Sequence, residues 1–259
     1  MGNYLKKADE NLIFTIKNRM KHIKDSIFIE KNGYVIYSIG EESLDGHLNG
    51  GICLDDSKAE EFLHEIHSVF STIKRDYAIW VRDNENKKLE SILKEKGLKA
   101  IREPGSACMV CENKINTPNI SSKYKIKVVE SEKDVNDLRS VVQNAFEKEE
   151  NITDIMFNLN MLNNNSTKAI VLYDIEEKKP ISSAITSYSN GISGIYWVGT
   201  LDSYRGQGLG AYIASKSTNI GFENGNEIVI LQASEAGERV YKKLGYKVIG
   251  HYRSYRVKF

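Results

Sequence analysis

The chain has 259 residues, 41% of them apolar and 27% charged, with 36 basic against 35 acidic side chains and a formal charge of +1. This is the make-up of a globular protein of one large or two ordinary domains, and its balance excludes a broad nucleic-acid-binding face. No apolar run approaches the roughly 20 residues of a membrane span, MGNYLKKADENLIF has no signal-like apolar core, and three cysteines make no disulfide framework, so cytoplasm is the expected compartment.

Residues 8–24 carry Leu12, Ile13, Ile16 and Met20 at helical spacing. Two strand-like runs, SIFIE and YVIYSIG, follow around Lys31-Asn32-Gly33, where Asn-Gly signals a hairpin. Asp55-Asp56-Ser57 offers a cap for a helix through Phe62, Ile66, Val69 and Phe70. YAIWV reads as a strand with Trp80 in packing, NKKLESILKEKG as a helix ended by Gly97, and the segment to Val110 as extended again. The C-x-x-C pair Cys108 and Cys111 therefore falls in a strand, where free cysteines are commonly buried, and has no nearby partners for a zinc site. His22, His47, His64 and His67 show no metal-binding spacing, so no metal is expected.

The polar stretch 112–123 has no period and supplies a linker, placed at 116–123. A second series begins with YKIKVVE and a helix capped near Ser131, with Val135, Leu138, Val142 and Phe146 on one face. After the looser NITDIMFNLNMLNNNS come strands KAIVLYDI, ISSAITSYS and ISGIYWVGTL, then YRGQGLG and a helix to Asn224. EIVILQAS, EAGERVYKKLG and YKVIGHYRSYRVKF close the chain as strand, helix and strands. A helix–strand–helix–strand order thus occurs twice, near 57–110 and near 208–259. The expected class is α+β in two related halves, each a mixed sheet flanked by helices, with domains 1–115 and 124–259.

Only the second half carries YRGQGLG, Tyr204 to Gly210, at a strand-to-helix junction. A helix start exposes N–H groups without internal partners, backed by about half a positive charge, and glycines let a diphosphate approach them. Gly206, Gly208 and Gly210 fit that use. The Walker pattern fails, because Ala211-Tyr212 stands where Lys and Ser or Thr belong. The dinucleotide fingerprint fails on glycine spacing and on the loop's late position.

The pattern R-x-x-G-x-G, as Arg205-Gly206-Gln207-Gly208-Leu209-Gly210, together with QASEAGERVYKKLGYKVIG, resembles the GNAT superfamily of N-acyltransferases over about residues 124–259. The resemblance implies an N-acetyltransferase that moves an acetyl group from acetyl-CoA, its co-substrate, to a primary amine of a small molecule or peptide. The alternative is a non-catalytic acyl-CoA-binding or regulatory protein. The resemblance also implies a first half that is a degenerate GNAT-like copy without a CoA loop; the charge balance and the lack of a long apolar run give the expectation of no nucleic-acid and no membrane partner. Main-chain groups of Val198, Gly199 and Thr200 would pair with the CoA arm, and N–H groups from Arg205 to Ala211 would hold the pyrophosphate. Arg205 can add charge there. Ser234 stands where the family often has an Asn on the arm, and Tyr241 matches the tyrosine that assists thiolate departure. The fourth-strand carboxylate of many relatives has no counterpart in ISSAITSYSNGISGIYWVGTL, leaving Glu147, Glu149, Glu150 and His251 as unassigned candidates for a base.

Overall fold

The structure, a computed structural model, describes residues 4–39 and 48–259; His47 lies outside them. In chain order the elements are α1 (Tyr4–Met20), β1 (Ile27–Lys31), β2 (Tyr34–Ser38), β3 (Asn49–Cys53), α2 (Ala59–Ile73), β4 (Tyr77–Arg82), α3 (Lys87–Glu95) and β5 (Ser106–Cys111). These are followed by β6 (Tyr124–Val128), α4 (Glu132–Phe146), α5 (Glu150–Met156), α6 (Leu159–Leu162), β7 (Asn163–Asn164), β8 (Thr167–Asp174), β9 (Lys179–Ser189) and β10 (Ile192–Thr200). The chain ends with α7 (Leu209–Glu223), β11 (Ile228–Ala233), α8 (Glu235–Lys243) and β12 (Lys247–Val257).

Two compact units form, and they interleave along the chain. One holds residues 1–22 and 109–249, the other 23–108 and 250–259. The consecutive halves read from the sequence differ from this division at both ends. α1 packs on β9 and β10, because its Asn11 is fully buried and binds there through Nδ2 to Ser189 Oγ at 2.7 Å. The last strand goes the other way, pairing Tyr252 to Val257 antiparallel with Arg82 to Tyr77 of β4.

In the unit of 23–108 and 250–259 the sheet is mixed, with antiparallel β1–β2, β2–β3 and β4–β12 and a parallel β3–β4 pair. α2 presents Phe62, Ile66 and Phe70 to Tyr34, Ile36, Tyr77, Ile79 and Tyr255, all buried. The expected period of that helix is the one observed. Cys108 of this unit and Cys111 of the other are free, buried and extended in β5, as their flanks predict.

The other unit orders its strands β5-β11-β10-β9-β8-β6, antiparallel except for β10 with β11. α4 starts where expected, with the Ser131 hydroxyl accepting from Asp134 N–H, and buries Val135, Leu138 and Val142. The looser segment folds as two short helices, the second capped by Asn158. Helices cover both faces. A Cβ on Gly194 would collide with Asn11 of α1, and one on Gly199 with Phe146 of α4 at 2.7 Å, so glycine is what admits these helices. α7 lies on the opposite face, where Leu209 and Ile213 join Ile170, Leu172, Ile181 and Leu201 in one apolar cluster. The segment 112–123 is irregular, as predicted, and Asn219 of α7 pins it by exchanging two 2.8 Å bonds with the Ile115 backbone.

Candidate active site

β10 and β11 run in parallel register for three rungs only, Ile192 with Ile228, Ser193 with Val229 and Gly194 with Ile230. Beyond them the strands continue to Thr200 and Ala233 without pairing to each other, so a cleft opens toward their C-terminal ends. β10 departs from regularity at the same level. Its register to β9 breaks between Tyr196 and Gly199, and Trp197 adopts a positive φ of 53°, the signature of a bulge that turns the strand away from its neighbour. Trp197 is held in that turn edge-on between Phe146 and Phe157, at 5.3 and 5.6 Å.

The bulge decides which main-chain groups face the cleft. Leu201 N–H donates to Ile181 O at 2.9 Å, and Gly199 pairs with Ser183, so the peptide groups of Gly199 point at β9. Ser182 Oγ also donates to Gly199 O at 2.6 Å. This corrects the expectation that Gly199 pairs with a ligand arm; its role is to admit α4. Thr200 alternates to the free edge. Trp197 O accepts from Ser183 Oγ at 3.3 Å, and peptide planarity then aims the Val198 N–H away from that hydroxyl.

At the mouth of the cleft stands the start of α7. Gly208 is its N-cap in the left-handed region, φ 77°, with no side-chain cap bond, and Gly206 is left-handed too at φ 78°. The first N–H to find a helical acceptor is that of Tyr212, on Gly208 O at 3.0 Å. Among the described residues the N–H groups from Gly206 to Ala211 make no bond within the protein. An added Cβ at Gly206 or Gly208 meets nothing within 4 Å, and at Gly210 only Thr200 Oγ1 at 3.5 Å. Backbone sign demands the first two glycines, and protein crowding demands none of the three. The loop is fixed from the sides. Leu209 is buried beneath it, Gln207 Oε1 accepts from Tyr124 hydroxyl at 2.8 Å, and Tyr204 meets the Tyr124 ring edge-on.

No model of a known protein family matches the sequence, and no curated protein matches it. Solved structures do match. A GCN5-related N-acetyltransferase from Kribbella flavida is 18% identical with a TM-score of 0.71, over 95% of this chain and 93% of that one. Another from Sphaerobacter thermophilus is 12% identical at 0.63, over 87% and 80%. A tandem GNAT protein from the clavulanic acid biosynthesis pathway is 7% identical at 0.67, over 94% and 86%. The chain has the GNAT superfamily fold.

Within that fold the remaining candidates fall into place unevenly. The Arg205 guanidinium is committed to its own loop, with Nη2 on Asp202 Oδ1 at 2.7 Å and Nε on Thr200 O at 3.2 Å. It braces the strand end instead of standing free for an anion. Ser234 follows β11 and caps α8, its Oγ accepting from Gly237 N–H at 3.2 Å, which answers why a serine occupies that corner of a GNAT fold. Tyr241 is 8% exposed on α8, its ring 5.7 Å from that of Tyr246. Burial pushes its phenol well above the ordinary value, so the hydroxyl keeps its proton, and among the described residues it has no hydrogen-bond partner.

The base candidates are not brought together. Glu147, Glu149 and Glu150 are exposed at the turn from α4 to α5, and His251 belongs to the other compact unit, where its Nδ1 lies 3.7 Å from Asp83. Among the described residues no cluster of three or more His, Cys, Asp or Glu could hold a metal ion. On the α1 and α4 face, a cleft with about 320 Å³ of free space, open solvent included, is lined by Thr15, Arg19, Phe157, Met161, Tyr196 and Trp197 among others. Sequence reasoning missed the α1 wall of this cleft. A buried Asn within a helical apolar stripe was the available signal, since such a group needs partners from another element.

Proposed function

We propose that this protein is an acyl-CoA-dependent N-acyltransferase, with acetyl-CoA as donor and a primary amine as acceptor. One observation carries the reading: the unpaired edges of β10 and β11 open beside an uncapped helix start, so one extended ligand with a diphosphate can use both. The N–H groups of Gly206, Gln207, Gly208, Leu209, Gly210 and Ala211 would hold the diphosphate, helped by the α7 dipole. Thr200 and Val198 would offer main-chain bonds to the arm.

In the reaction the amine nitrogen bonds to the thioester carbonyl carbon, the C–S bond breaks, and the electron pair leaves on sulfur. The Val198 N–H donates to the carbonyl oxygen as negative charge builds on it. Tyr241, kept protonated by burial, gives the departing sulfur a proton or a hydrogen bond. The amine proton leaves through water, since β9 and β10 contain no carboxylate. The cleft beside Trp197 and Phe157 would receive the acceptor.

Calorimetry with acetyl-CoA and a thiol-release assay over an amine panel test this. Binding with turnover is the expected result; binding without turnover on any amine would leave a non-catalytic acyl-CoA-binding protein, and no binding would end both. Tyr241→Phe is expected to lower kcat by about 10- to 100-fold with acetyl-CoA affinity retained. An unchanged kcat removes Tyr241 from the mechanism.

A further inference from the structure

Gln232 sits on β11 two residues past the last rung, Gly194 with Ile230. Alternation puts its side chain on the face of Ile230 and Gly194, which is the α1 face, because a Cβ on Gly194 would meet Asn11. The matching step along β10 is Tyr196, whose hydroxyl is already given to Asn11 Oδ1 at 2.7 Å. The Gln232 Nε2 is buried and has no hydrogen-bond partner. Such a buried donor is costly, and native structures keep few of them without reason.

The other compact unit shows what a residue at this register does when the opening is closed by the protein itself. There the parallel rungs of β3 and β4 stop at Ile52 with Trp80, and the residue two steps on is Arg82. Its guanidinium reaches across and donates to Leu54 O at 2.8 Å. Gln232 has the same place and no such acceptor. The start of α7 stands at the mouth of the cleft, and Gln232 lies inside it, between the last rung about 7 Å away and the end of β11 one residue on. An extended ligand anchored at the mouth points its reactive end there.

We propose that the Gln232 side-chain amide is a ligand-binding group for the acyl end of the thioester, donating an N–H to the acyl carbonyl oxygen. This rests on the acyl-CoA reading of the cleft. It is tested by calorimetry on the full chain and on Gln232→Met, which keeps the volume and removes the donor, with acetyl-CoA and with free CoA as probes. The expected result is a loss of about tenfold in acetyl-CoA affinity with free CoA bound as before, the size of one charge-neutral hydrogen bond. The melting temperature of the ligand-free variant should hold or rise, because no native bond is lost.

Equal weakening toward both probes, no weakening toward acetyl-CoA, or a lower melting temperature overturns the assignment. Gln232→Leu repeats the measurement should the Met variant fold poorly. Free CoA bound by the unaltered protein keeps the two ideas apart: without that binding the acyl-CoA reading itself fails, and with it only Gln232 is at stake.

Discussion

The two compact units solve the same junction in opposite ways. Each has a parallel strand pair whose rungs stop early and a helix that begins just past the first strand. In the unit of β3 and β4 the opening is filled by its own side chains. Arg82 and Asn86, 6% and 1% exposed, donate to Leu54 O and Cys53 O, and Asn86 Oδ1 accepts from Arg82 Nε at 3.1 Å. Asp55 accepts from Ser57 N–H, and Asp56 accepts from Lys88 and Leu89 N–H at the start of α3. In the unit of β10 and β11 glycines stand where those acids stand, and no side chain caps α7. The same junction is thus satisfied by side chains in one unit and left without them in the other. The unit of β3 and β4 is closed by polar side chains, Arg82 and Asn86 among them, and differs from the other by more than its lack of glycines.

Converting one unit into the other should have the largest effect. Gly208→Asp places a carboxylate at the start of α7, in a left-handed backbone that strains any residue but glycine and strains Asp less than most. Acetyl-CoA affinity is expected to fall by about 100-fold or more, since juxtaposed like charges cost several kcal/mol, while the melting temperature falls by only a few degrees from the backbone strain. Calorimetry and a thermal scan on one preparation check both halves of the statement. Unchanged affinity would place the diphosphate elsewhere.

The reverse conversion, Arg82→Met, opens the closed unit. It takes the guanidinium donor from Leu54 O and one of two donors from Asn86 Oδ1, which keeps the backbone N–H of position 82, and about 1–3 kcal/mol of stability should go with them. Urea unfolding reads that loss. Acetyl-CoA binding should not change, because only the other unit has the glycine loop. A fall in affinity equal to that of the Gly208 variant would mean that the comparison drawn between the units is wrong.

The glycine loop, the helix periods and the paired halves were legible in the sequence because each rests on local rules. Gly206 and Gly208 need positive φ, Phe62 to Phe70 repeat at 3.6, and Ser131 caps within three residues. What was not legible is long-range. α1 precedes the first strand by a few residues, so chain order assigns it to the first half, and only the buried Asn11 bonding Ser189 places it against β9. Likewise β12 reads as the last strand of its own half, whereas the pairing of Tyr255 with Ile79 takes it to the other unit. Gln232 carries no local signal, because its meaning depends on where the rungs of two strands stop. Trp197 in a β-branched and aromatic run gave no sign of a bulge, since a positive φ at tryptophan is set by Phe146 and Phe157 around it.

The smallest effect is expected at the most charged residue of the loop. From sequence, Arg205 invites a role as a phosphate ligand, and its removal would then cost tenfold or more, as for other charge-assisted contacts. The structure gives the guanidinium two internal duties, Asp202 Oδ1 and Thr200 O, on an exposed surface where such pairs contribute little, about 0–1 kcal/mol. Arg205→Gln keeps a donor for Thr200 O and leaves the six N–H groups from Gly206 to Ala211 in place. Acetyl-CoA affinity should therefore change by less than about threefold, and its dependence on salt should stay the same, since no cation that meets the diphosphate has been lost. A tenfold loss that shrinks at high salt would show that the arginine leaves Asp202 when ligand arrives, and would move part of the anion site from the backbone to a side chain.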